Sequence, residues 1–265
     1  MRAVLTIAGS DCSGGAGIQA DLKTMIANGV YGMSVITALT AQNTTGVTAI
    51  RSVDPDFLLQ QIDAVFEDIT PDAVKIGMVP SRELIEVISD RMRFYGVKNI
   101  VTDPVMVATS GADLSNQKSV ASMVREIFPI SAVVTPNIPE AETLSGMKIF
   151  SRESMTEAAV KISQRSGCSV LIKGGHRESD SDDLLYHQGE FYNLDSRRID
   201  NSNTHGTGCT LSSAIACNLA KDMTLPESVR RAKRYITGAI GAGLDVGKGR
   251  GPLDHGYDIK TEYKH

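Results

Sequence analysis

The chain has 265 residues and a formal net charge of −4 at pH 7, a length that fits one large α/β domain or two small ones. The acidic balance and the lack of a long basic stretch argue against nucleic-acid and membrane-surface partners. Tryptophan is absent, and no apolar run reaches the ~18 residues of a membrane helix.

Cysteine usage and the N-terminal segment indicate the compartment. The four cysteines form no CxxC pair and show no metal-ligand spacing. Residues 1–8 are apolar over too short a span for a secretory signal peptide. We therefore expect a reduced protein of the cytoplasm.

Short apolar runs alternate with helical patterns along the chain. Strands are predicted, in chain order, at residues 3–8, 34–41, 72–76, 99–102, 132–135 and 169–173. Helices are predicted at residues 16–27, 57–68, 83–94, 119–128, 140–144, 155–166 and 211–220. Several strands lack polar alternation, as strands buried on both faces do. The pattern predicts an α/β fold in one domain over residues 1–265, with a mostly parallel central sheet and helices on both faces.

The stretch from 177 to 194 breaks this alternation. Residues 184–186 and 190–194 flank His-Gln-Gly and predict a β-hairpin. The preceding loop, residues 177–183, is acidic and rich in serine. It is interpreted as a solvated surface loop, with a flap over a nucleotide as the alternative.

Residues 205–210 read His-Gly-Thr-Gly-Cys-Thr and lead directly into an apolar helical run. A glycine-rich turn at a helix N-terminus aims unpaired backbone N–H groups outward, where the positive end of the helix dipole also lies. Such a turn can hold an oxyanion or phosphate, and the same dipole is expected to lower the pKa of the Cys209 thiol. An anion site with a potential base suggests phosphoryl transfer. The alternative is a tight loop of small residues before a core helix.

Two other sequence patterns that bind phosphate groups are alternatives to this turn. Residues 15–20 match the relaxed dinucleotide fingerprint GxGxxA, but the second strand ends in Ala41-Gln42-Asn43 without the acidic residue that a ribose requires. No GxxxxGK[ST] loop occurs. If the protein uses ATP, its phosphates must therefore lie on residues 206–209. Lys173, at the end of a neighbouring predicted strand, either supplies positive charge to them or is a surface lysine.

Oxygen ligands suited to Mg²⁺ follow two predicted strands. Asn137 and Glu140 are three residues apart at a helix start, so both can face one site. They also fit a capping box, with Asn137 as N-cap and Glu140 at N3. Asp103, before a proline, is a second acid for the metal or the cap of a turn. The histidines show no metal-ligand spacing. We expect His205 and His255, which lie beside glycine-rich loops, to be satisfied structural residues, with a place in the lining of a pocket as the alternative.

These segments form an ordered set over nearly the whole chain. The motifs are LTIAGSD (5–11), GGAGIQAD (14–21), TALTAQNT (37–44), DPVM (103–106), TPNIPEAE (135–142), KGGH (173–176), HGTGCT (205–210) and GRGPLDH (249–255). The set resembles the bacterial hydroxymethylpyrimidine/phosphomethylpyrimidine kinases of thiamine biosynthesis. The resemblance implies a ribokinase-like three-layer sandwich and a homodimer. It also implies ATP- and Mg²⁺-dependent phosphorylation of 4-amino-5-hydroxymethyl-2-methylpyrimidine, then of its monophosphate, in one site.

The resemblance also implies roles for residues at matching positions. Gln42 would hydrogen-bond the aminopyrimidine, because an amide can both donate to and accept from a ring edge. The other substrate-binding positions are Met78 and Val105, as apolar walls against the ring, and Gly9 and Asp21 near the substrate.

On the phosphate side, Cys209 would stand where sugar kinases of the superfamily carry an aspartate base. The anion hole would be formed by Gly206, Thr207 and Gly208. Lys173 and Asn137 would serve ATP, and Glu140, with Asn137 and Asp103 beside it, would support Mg²⁺.

Three rival functions stay open at this point. Pyridoxal kinase is the nearest, because relatives phosphorylate the hydroxymethyl group of vitamin B6; Gln42 and Met78 favour the pyrimidine. A non-catalytic pyrimidine sensor on the same fold is disfavoured by the presence of Cys209, Lys173 and Glu140. A fused enzyme that also makes thiamine phosphate is not expected, since the chain ends ten residues after His255.

Overall fold

The computed structural model describes residues 1–106, 117–174, 183–194, 201, 203, 205–260 and 262. The described strands are β1 (Ala3–Asp11), β2 (Tyr31–Asn43), β3 (Gly46–Ser52), β4 (Ala73–Ile76), β5 (Ile100–Thr102), β6 (Val133–Val134), β7 (Ser169–Ile172), β8 (Asp183–His187) and β9 (Glu190–Leu194). The described α-helices are α1 (Gly17–Ala27), α2 (Pro55–Phe66), α3 (Arg82–Phe94), α4 (Gln117–Glu126), α5 (Ile138–Ser145), α6 (Arg152–Ser166), α7 (Thr207–Leu219) and α8 (Leu225–Gly241).

All nine strands form one sheet in the order β3-β2-β1-β4-β5-β6-β7-β8-β9. The central neighbours from β2 to β7 pair in parallel, while β3, β8 and β9 are attached by antiparallel pairing. This confirms the predicted mostly parallel sheet. The carboxyl ends of the parallel strands therefore lie along one edge, where ligands of such folds bind.

Alternate strand residues supply two separate cores, one on each face of the sheet. Met33, Leu5, Val74 and Ile100 lie in register across four strands and belong to the core formed with α2 to α6. The neighbouring position Val4 faces the second core, which α1, α7 and α8 cover. Helices on both faces confirm the predicted three-layer arrangement.

Two elements were not predicted from the sequence. The edge strand β3 is largely exposed, so it lacks the apolar run by which the buried strands were found. Helix α8 carries charges on one face, but Leu225, Val229, Ala232 and Ile236 recur at helical spacing and are buried. Its signal was present in the sequence.

The predicted hairpin is confirmed as β8 and β9. Gln188 and Gly189 connect the two strands with φ angles of 51° and 85°, the positive pair that a type I′ turn requires. Of the acidic loop before the hairpin, Asp183 begins β8, and the rest lies outside the described residues. In the described part of the chain, no helix has the length and apolarity needed to cross a bilayer.

Candidate active site

Polar residues directly follow the carboxyl ends of β5, β6 and β7. The Asp103 N–H donates to Ile76 O at 2.9 Å. Asn137 and Lys173 form a parallel bridge just beyond β6 and β7, and the Lys173 N–H donates to Pro136 O at 2.9 Å. Because sheet hydrogen bonds extend to these residues, the sheet itself fixes their backbone positions.

Lys173 and Asp103 form an ion pair at this edge. Lys173 Nζ lies 2.8 Å from Asp103 Oδ1, and Thr135 Oγ1 donates to the same oxygen at 3.0 Å. Burial lowers the pKa of Lys173, but the charges of Asp103 and Glu140 raise it above its ordinary value. The lysine is thus a permanent positive charge in a largely enclosed site, which excludes the surface-lysine interpretation.

The glycine turn before α7 faces this ion pair. A Cβ on Gly208 would lie 3.0 Å from Asp103 Oδ2 and 3.3 Å from Lys173 Nζ. Gly206 has a φ of +81°, and a Cβ there would lie 2.0 Å from Gly15 O, so only glycine fits. No side chain caps the N-terminus of α7. Its first N–H groups are therefore open to an anion beside Lys173.

Cys209 lies in the first turn of α7 and is half-buried. Burial raises the pKa of its thiol to about 11, and the charges of Asp21 and Asp103 act in the same direction. Lys75 and a hydrogen bond from Gly17 lower the pKa, but not enough to offset burial. The prediction that the helix dipole lowers the pKa of Cys209 and favours a thiolate was wrong. At neutral pH the Cys209 thiol carries its proton.

Asn137 and Glu140 form the capping box of α5. The Glu140 N–H donates to Asn137 Oδ1 at 2.9 Å, and the Asn137 N–H donates to Glu140 Oε2 at 2.8 Å. Burial raises the pKa of Glu140 to about 7; Lys173 lowers it, and the Asp103 charge raises it. The capping interpretation is confirmed, and the carboxylate also lies within electrostatic reach of Lys173 and Asp103.

Asp103 and Glu140 are two carboxylates beside one lysine. Among the described residues, no group of three or more histidine, cysteine or acidic side chains is arranged to hold a metal ion. Mg²⁺ commonly takes one or two carboxylates and completes its shell with waters and substrate phosphates, so this pair of oxygen donors fits it.

Gln42 lines a cavity of about 380 Å³ at the end of β2. The other lining residues are Asn43, Thr44, Thr45, His205, Gly249 and Arg250. The Thr44 hydroxyl accepts from the N–H groups of Lys248 and Gly249 at 3.2 Å, which holds the loop after α8 against the end of β2. The cavity opens beside Gly206, because His205 immediately precedes the glycine turn.

The apolar positions expected around the substrate lie apart from one another. A Cβ on Gly9 would be 3.0 Å from Met78 Sδ, so these two residues are in close contact at the ends of β1 and β4. Val105 lines a different cavity of about 10 Å³, together with Pro104 and Met106. The lining of the Gln42 cavity includes none of Gly9, Met78 and Val105.

Asp21 is fully buried in an ion pair with Lys75. Its carboxylate accepts from Lys75 Nζ at 2.8 and 3.0 Å, from Thr6 Oγ1 at 2.6 Å and from Ser213 Oγ at 2.6 Å. These bonds use the acceptor positions of both oxygens, so none is open to a ligand. The expected place of Asp21 near the substrate stays a prediction; in this structure its carboxylate ties α1 to β4 and α7.

Two residues at the site, Lys75 and Asp11, were given no role from the sequence, and a third, His205, was placed at a pocket only as the alternative. Lys75 interrupts an apolar strand, and a lysine in such a strand needs a buried partner, so its signal was available. His205 was expected to be structural; it is buried and bonded to Asp11, as expected, but it also lines the Gln42 cavity. Asp11 lies 194 residues from His205, a pairing that no local pattern indicates.

An uncapped glycine turn at a helix N-terminus, facing a lysine at the carboxyl edge of a parallel sheet, is typical of α/β proteins that bind phosphate groups. The phosphomethylpyrimidine kinase family matches residues 11–254, and the chain belongs to it. It is 50% identical to the hydroxymethylpyrimidine/phosphomethylpyrimidine kinase of Rhizobium meliloti, over 95% of this chain and 96% of that protein. It is 51% identical to the thiamine biosynthesis bifunctional protein ThiED of Geobacter sulfurreducens, of whose length it spans 52%.

Solved structures share the fold. A phosphomethylpyrimidine kinase from Clostridium difficile is similar at a TM-score of 0.81 and 45% identity, over 91% of this chain and 100% of that one. The pyridoxal kinase from Staphylococcus aureus in complex with ADP is similar at a TM-score of 0.90 and 36% identity, over 99% and 96% of the two chains. These neighbours confirm the ribokinase-like fold implied by the sequence motifs.

Proposed function

We propose that this chain is an ATP-dependent kinase that phosphorylates 4-amino-5-hydroxymethyl-2-methylpyrimidine and then its monophosphate, for thiamine biosynthesis. The observation that carries the proposal is the approach of Gly208 to Lys173 and Asp103, in a chain of the phosphomethylpyrimidine kinase family. It brings an uncapped helix N-terminus and a largely enclosed lysine to one point, as a transferred phosphoryl group requires.

The anion hole consists of the backbone N–H groups at residues 206–209. Phosphoryl transfer depends mainly on positioning and on stabilising charge over the equatorial oxygens, so fixed N–H donors contribute without reorganising. Lys173 adds a full positive charge next to them, held by Asp103. The substrate hydroxymethyl oxygen attacks the γ-phosphoryl group of ATP in line at this point. The bond from the γ-phosphorus to the β–γ bridging oxygen breaks, ADP leaves, and the hydroxyl proton passes to water.

Mg²⁺ would be held by Glu140 and Asp103, with Asn137 positioning Glu140 through the capping box. When bound, the ion would neutralise phosphate charge. The buried Glu140 has a pKa raised to about 7, so a cation beside it would favour its ionised form.

Cys209 contributes less to the rate of phosphoryl transfer than an activated general base would. Its thiol is protonated at neutral pH because burial raises its pKa by more than Lys75 and the Gly17 N–H lower it. A general base contributes roughly 10²- to 10⁴-fold when its pKa lies near the working pH, a condition that this thiol does not meet. In this account Cys209 positions the hydroxymethyl group, and the surrounding N–H groups carry most of the rate.

Gln42 would recognise the aminopyrimidine from the wall of the cavity. Met78 and Val105, as apolar walls, and Gly9, near the substrate, stay the positions that the family resemblance assigns, although they lie outside the lining of that cavity. We further propose a single kinase domain over residues 1–265, a homodimer and a cytoplasmic location.

The direct test is product identification. Purified protein is incubated with ATP, Mg²⁺ and the hydroxymethylpyrimidine, and ³¹P NMR follows the reaction. The proposal expects a monophosphate signal followed by a diphosphate signal, each matched by release of ADP. The absence of both signals, with ATP binding intact, would overturn it.

Pyridoxal kinase is the second candidate, because structures of pyridoxal kinases match the fold at TM-scores near 0.90. The curated proteins at 42–51% identity include kinases named for the pyrimidine. We therefore place pyridoxal as a secondary substrate.

A further inference from the structure

His205 lies between Asp11 and Gln42 at the wall of the 380 Å³ cavity. Its Nε2 atom is 2.9 Å from Asp11 Oδ2 and 3.3 Å from the Gln42 side-chain nitrogen. A Cβ on Gly15 would lie 2.3 Å from His205 Cδ2, so the imidazole ring is closely packed. One nitrogen of a fixed ring therefore faces both partners.

Asp11 determines where the histidine carries its proton. Its carboxylate also accepts from the N–H groups of Ser13, Gly15 and Ala16 at 2.8 to 3.2 Å. Burial raises the pKa of Asp11, but the hydrogen bonds from His205 and Ser13 bring it down to about 2. Because an ionised carboxylate can only accept, the His205 Nε2 atom must be an N–H donor.

That proton creates a conflict at Gln42. The N–H of His205 is given to Asp11, and the Gln42 amide nitrogen beside it finds no lone pair on the protonated Nε2 atom, so these two donors cannot bond to each other. On the other side, Thr40 Oγ1 lies 2.9 Å from Ser10 O and 3.0 Å from Gln42 Oε1. One hydroxyl hydrogen serves both acceptors only as a shared, weaker bond. Turning the amide by 180° moves no other atom: the Thr40 hydrogen is then free for Ser10 O, Thr40 Oγ1 accepts from the amide nitrogen, and the amide oxygen shares the His205 N–H with Asp11 as a three-centre bond.

We propose that His205 and Thr40 hold the Gln42 amide with its oxygen toward His205 and its nitrogen toward Thr40. Asp11 fixes the His205 donor, and the Thr40 hydrogen is left for Ser10 O. The amide then presents one N–H and one oxygen lone pair to the cavity in a fixed order. This inference rests on the proposed function, in which Gln42 reads the pyrimidine edge.

The fixed order selects both a ring and an orientation. A 4-aminopyrimidine offers a ring-nitrogen acceptor next to an amino donor, which pairs with the N–H and the oxygen of Gln42. A 4-oxopyrimidine offers the reverse order, an N–H beside a carbonyl. It can pair only after the ring turns over, which carries its 5-hydroxymethyl group away from its original side. His205 is thus a positioning residue that acts through Gln42.

The test is the ratio of kcat/KM for the 4-amino substrate to that for the 5-hydroxymethyl-2-methyl-4-oxo analogue. We expect at least about 100-fold preference for the amino ring in the unaltered protein, since mismatched buried donors and acceptors are strongly penalised. His205→Leu leaves only Thr40, whose hydroxyl can donate or accept. The amide can then turn, and the preference falls about tenfold. An unchanged preference would overturn the inference.

Three further variants sharpen the result. His205→Gln keeps an N–H donor and should restore most of the preference. Thr40→Val removes the other group that orients the amide and should lower the preference two- to fivefold. This variant still tests the inference if His205→Leu fails to fold. His187→Leu is the matched control, because His187 bonds Ser169 between β7 and β8 and should leave the ratio unchanged.

A Gln42→Ala variant separates this inference from the proposed function. If the unaltered protein phosphorylates no pyrimidine, the proposed function fails and this inference with it. If Gln42→Ala raises the KM for the 4-amino substrate while His205→Leu keeps the preference, only this inference fails. If Gln42→Ala changes neither KM nor preference, ring recognition by Gln42 is wrong and the inference falls, but the kinase activity stands.

Discussion

Lys173 Nζ lies 2.8 Å from Asp103 Oδ1, although the two residues are 70 positions apart in the sequence. Parallel pairing brings them together, because each follows the carboxyl end of a strand in the same sheet. Gly208 approaches both, so the lysine, the acid and the helix N-terminus meet at one point. The predictions below follow from that arrangement and from the buried groups around it.

Adding a methyl group at Gly208 should impair phosphoryl transfer. In Gly208→Ala the new Cβ would lie 3.0 Å from Asp103 Oδ2 and 3.3 Å from Lys173 Nζ, so the ion pair must shift. We expect kcat/KM to fall about 10- to 100-fold, because the variant displaces the groups around one oxyanion donor without removing that donor. Gly256→Ala is the control, since its Cβ would make ordinary contacts at 3.7 Å. Equal activity in the two variants would remove the anion-hole assignment.

Replacing Cys209 should cost little in turnover. Because burial raises the pKa of the thiol to about 11, we expect Cys209→Ala to lower kcat about tenfold or less at pH 7.5. Iodoacetamide should modify exposed Cys12 well before Cys209, as followed by mass spectrometry. A kcat loss near 10⁴-fold, or rapid alkylation of Cys209 at neutral pH, would restore the base role.

Breaking the Lys75–Asp21 pair should destabilise the fold. Lys75→Met leaves the fully buried Asp21 charge without its partner, which costs on the order of 3–5 kcal/mol in the free energy of unfolding. The control is Lys148→Met, which breaks an exposed ion pair with Glu142 and should cost about 0.5 kcal/mol or less. Urea unfolding measures both. A loss below about 1 kcal/mol for Lys75→Met would contradict the assignment.

His255 should make stability depend on pH. Burial lowers its pKa to about 4, and its Nε2 atom lies 3.0 Å from Thr210 Oγ1. The unfolded chain protonates this histidine near pH 6.5, above the folded pKa, so its contribution to stability is lost as pH falls from 6.5 toward 4. Between pH 7 and pH 5 that loss is about 2 kcal/mol.

The measurement compares urea unfolding of the unaltered protein and of His255→Gln at both pH values. Glu140, whose pKa is raised, acts in the opposite direction, so only the difference between the two proteins isolates His255. A pH dependence identical in the two proteins would be inconsistent with this account.

Local patterns in the sequence predicted most of the fold. Buried parallel strands such as β4 are short, mainly apolar runs, and Gly189 and Gly206 mark turns with positive φ. The edge strand β3 was not predicted, because an exposed strand lacks the apolar run that indicates burial. Helix α8 was not predicted, although its buried apolar residues recur at helical spacing in the sequence. This helix could therefore have been predicted from the sequence alone.

The site was predictable in position but not in electrostatics. The glycine turn and Lys173 were found because each sits at a strand end or a helix start. The protonated state of Cys209 depends on burial and on the distances to Asp21 and Asp103, which tertiary packing sets. The contact between Asp11 and His205 spans 194 positions and has no counterpart in local sequence.

We expect this site to phosphorylate the hydroxymethylpyrimidine in preference to pyridoxal. The most direct measurement is a coupled ADP-release assay of kcat/KM for the pyrimidine, its monophosphate and pyridoxal, side by side with the same protein and saturating ATP. The account predicts turnover of both pyrimidines and a kcat/KM for the pyrimidine at least about tenfold above that for pyridoxal, a difference of ~1.4 kcal/mol in transition-state binding. Equal or faster turnover of pyridoxal, or no turnover of the monophosphate, would contradict it.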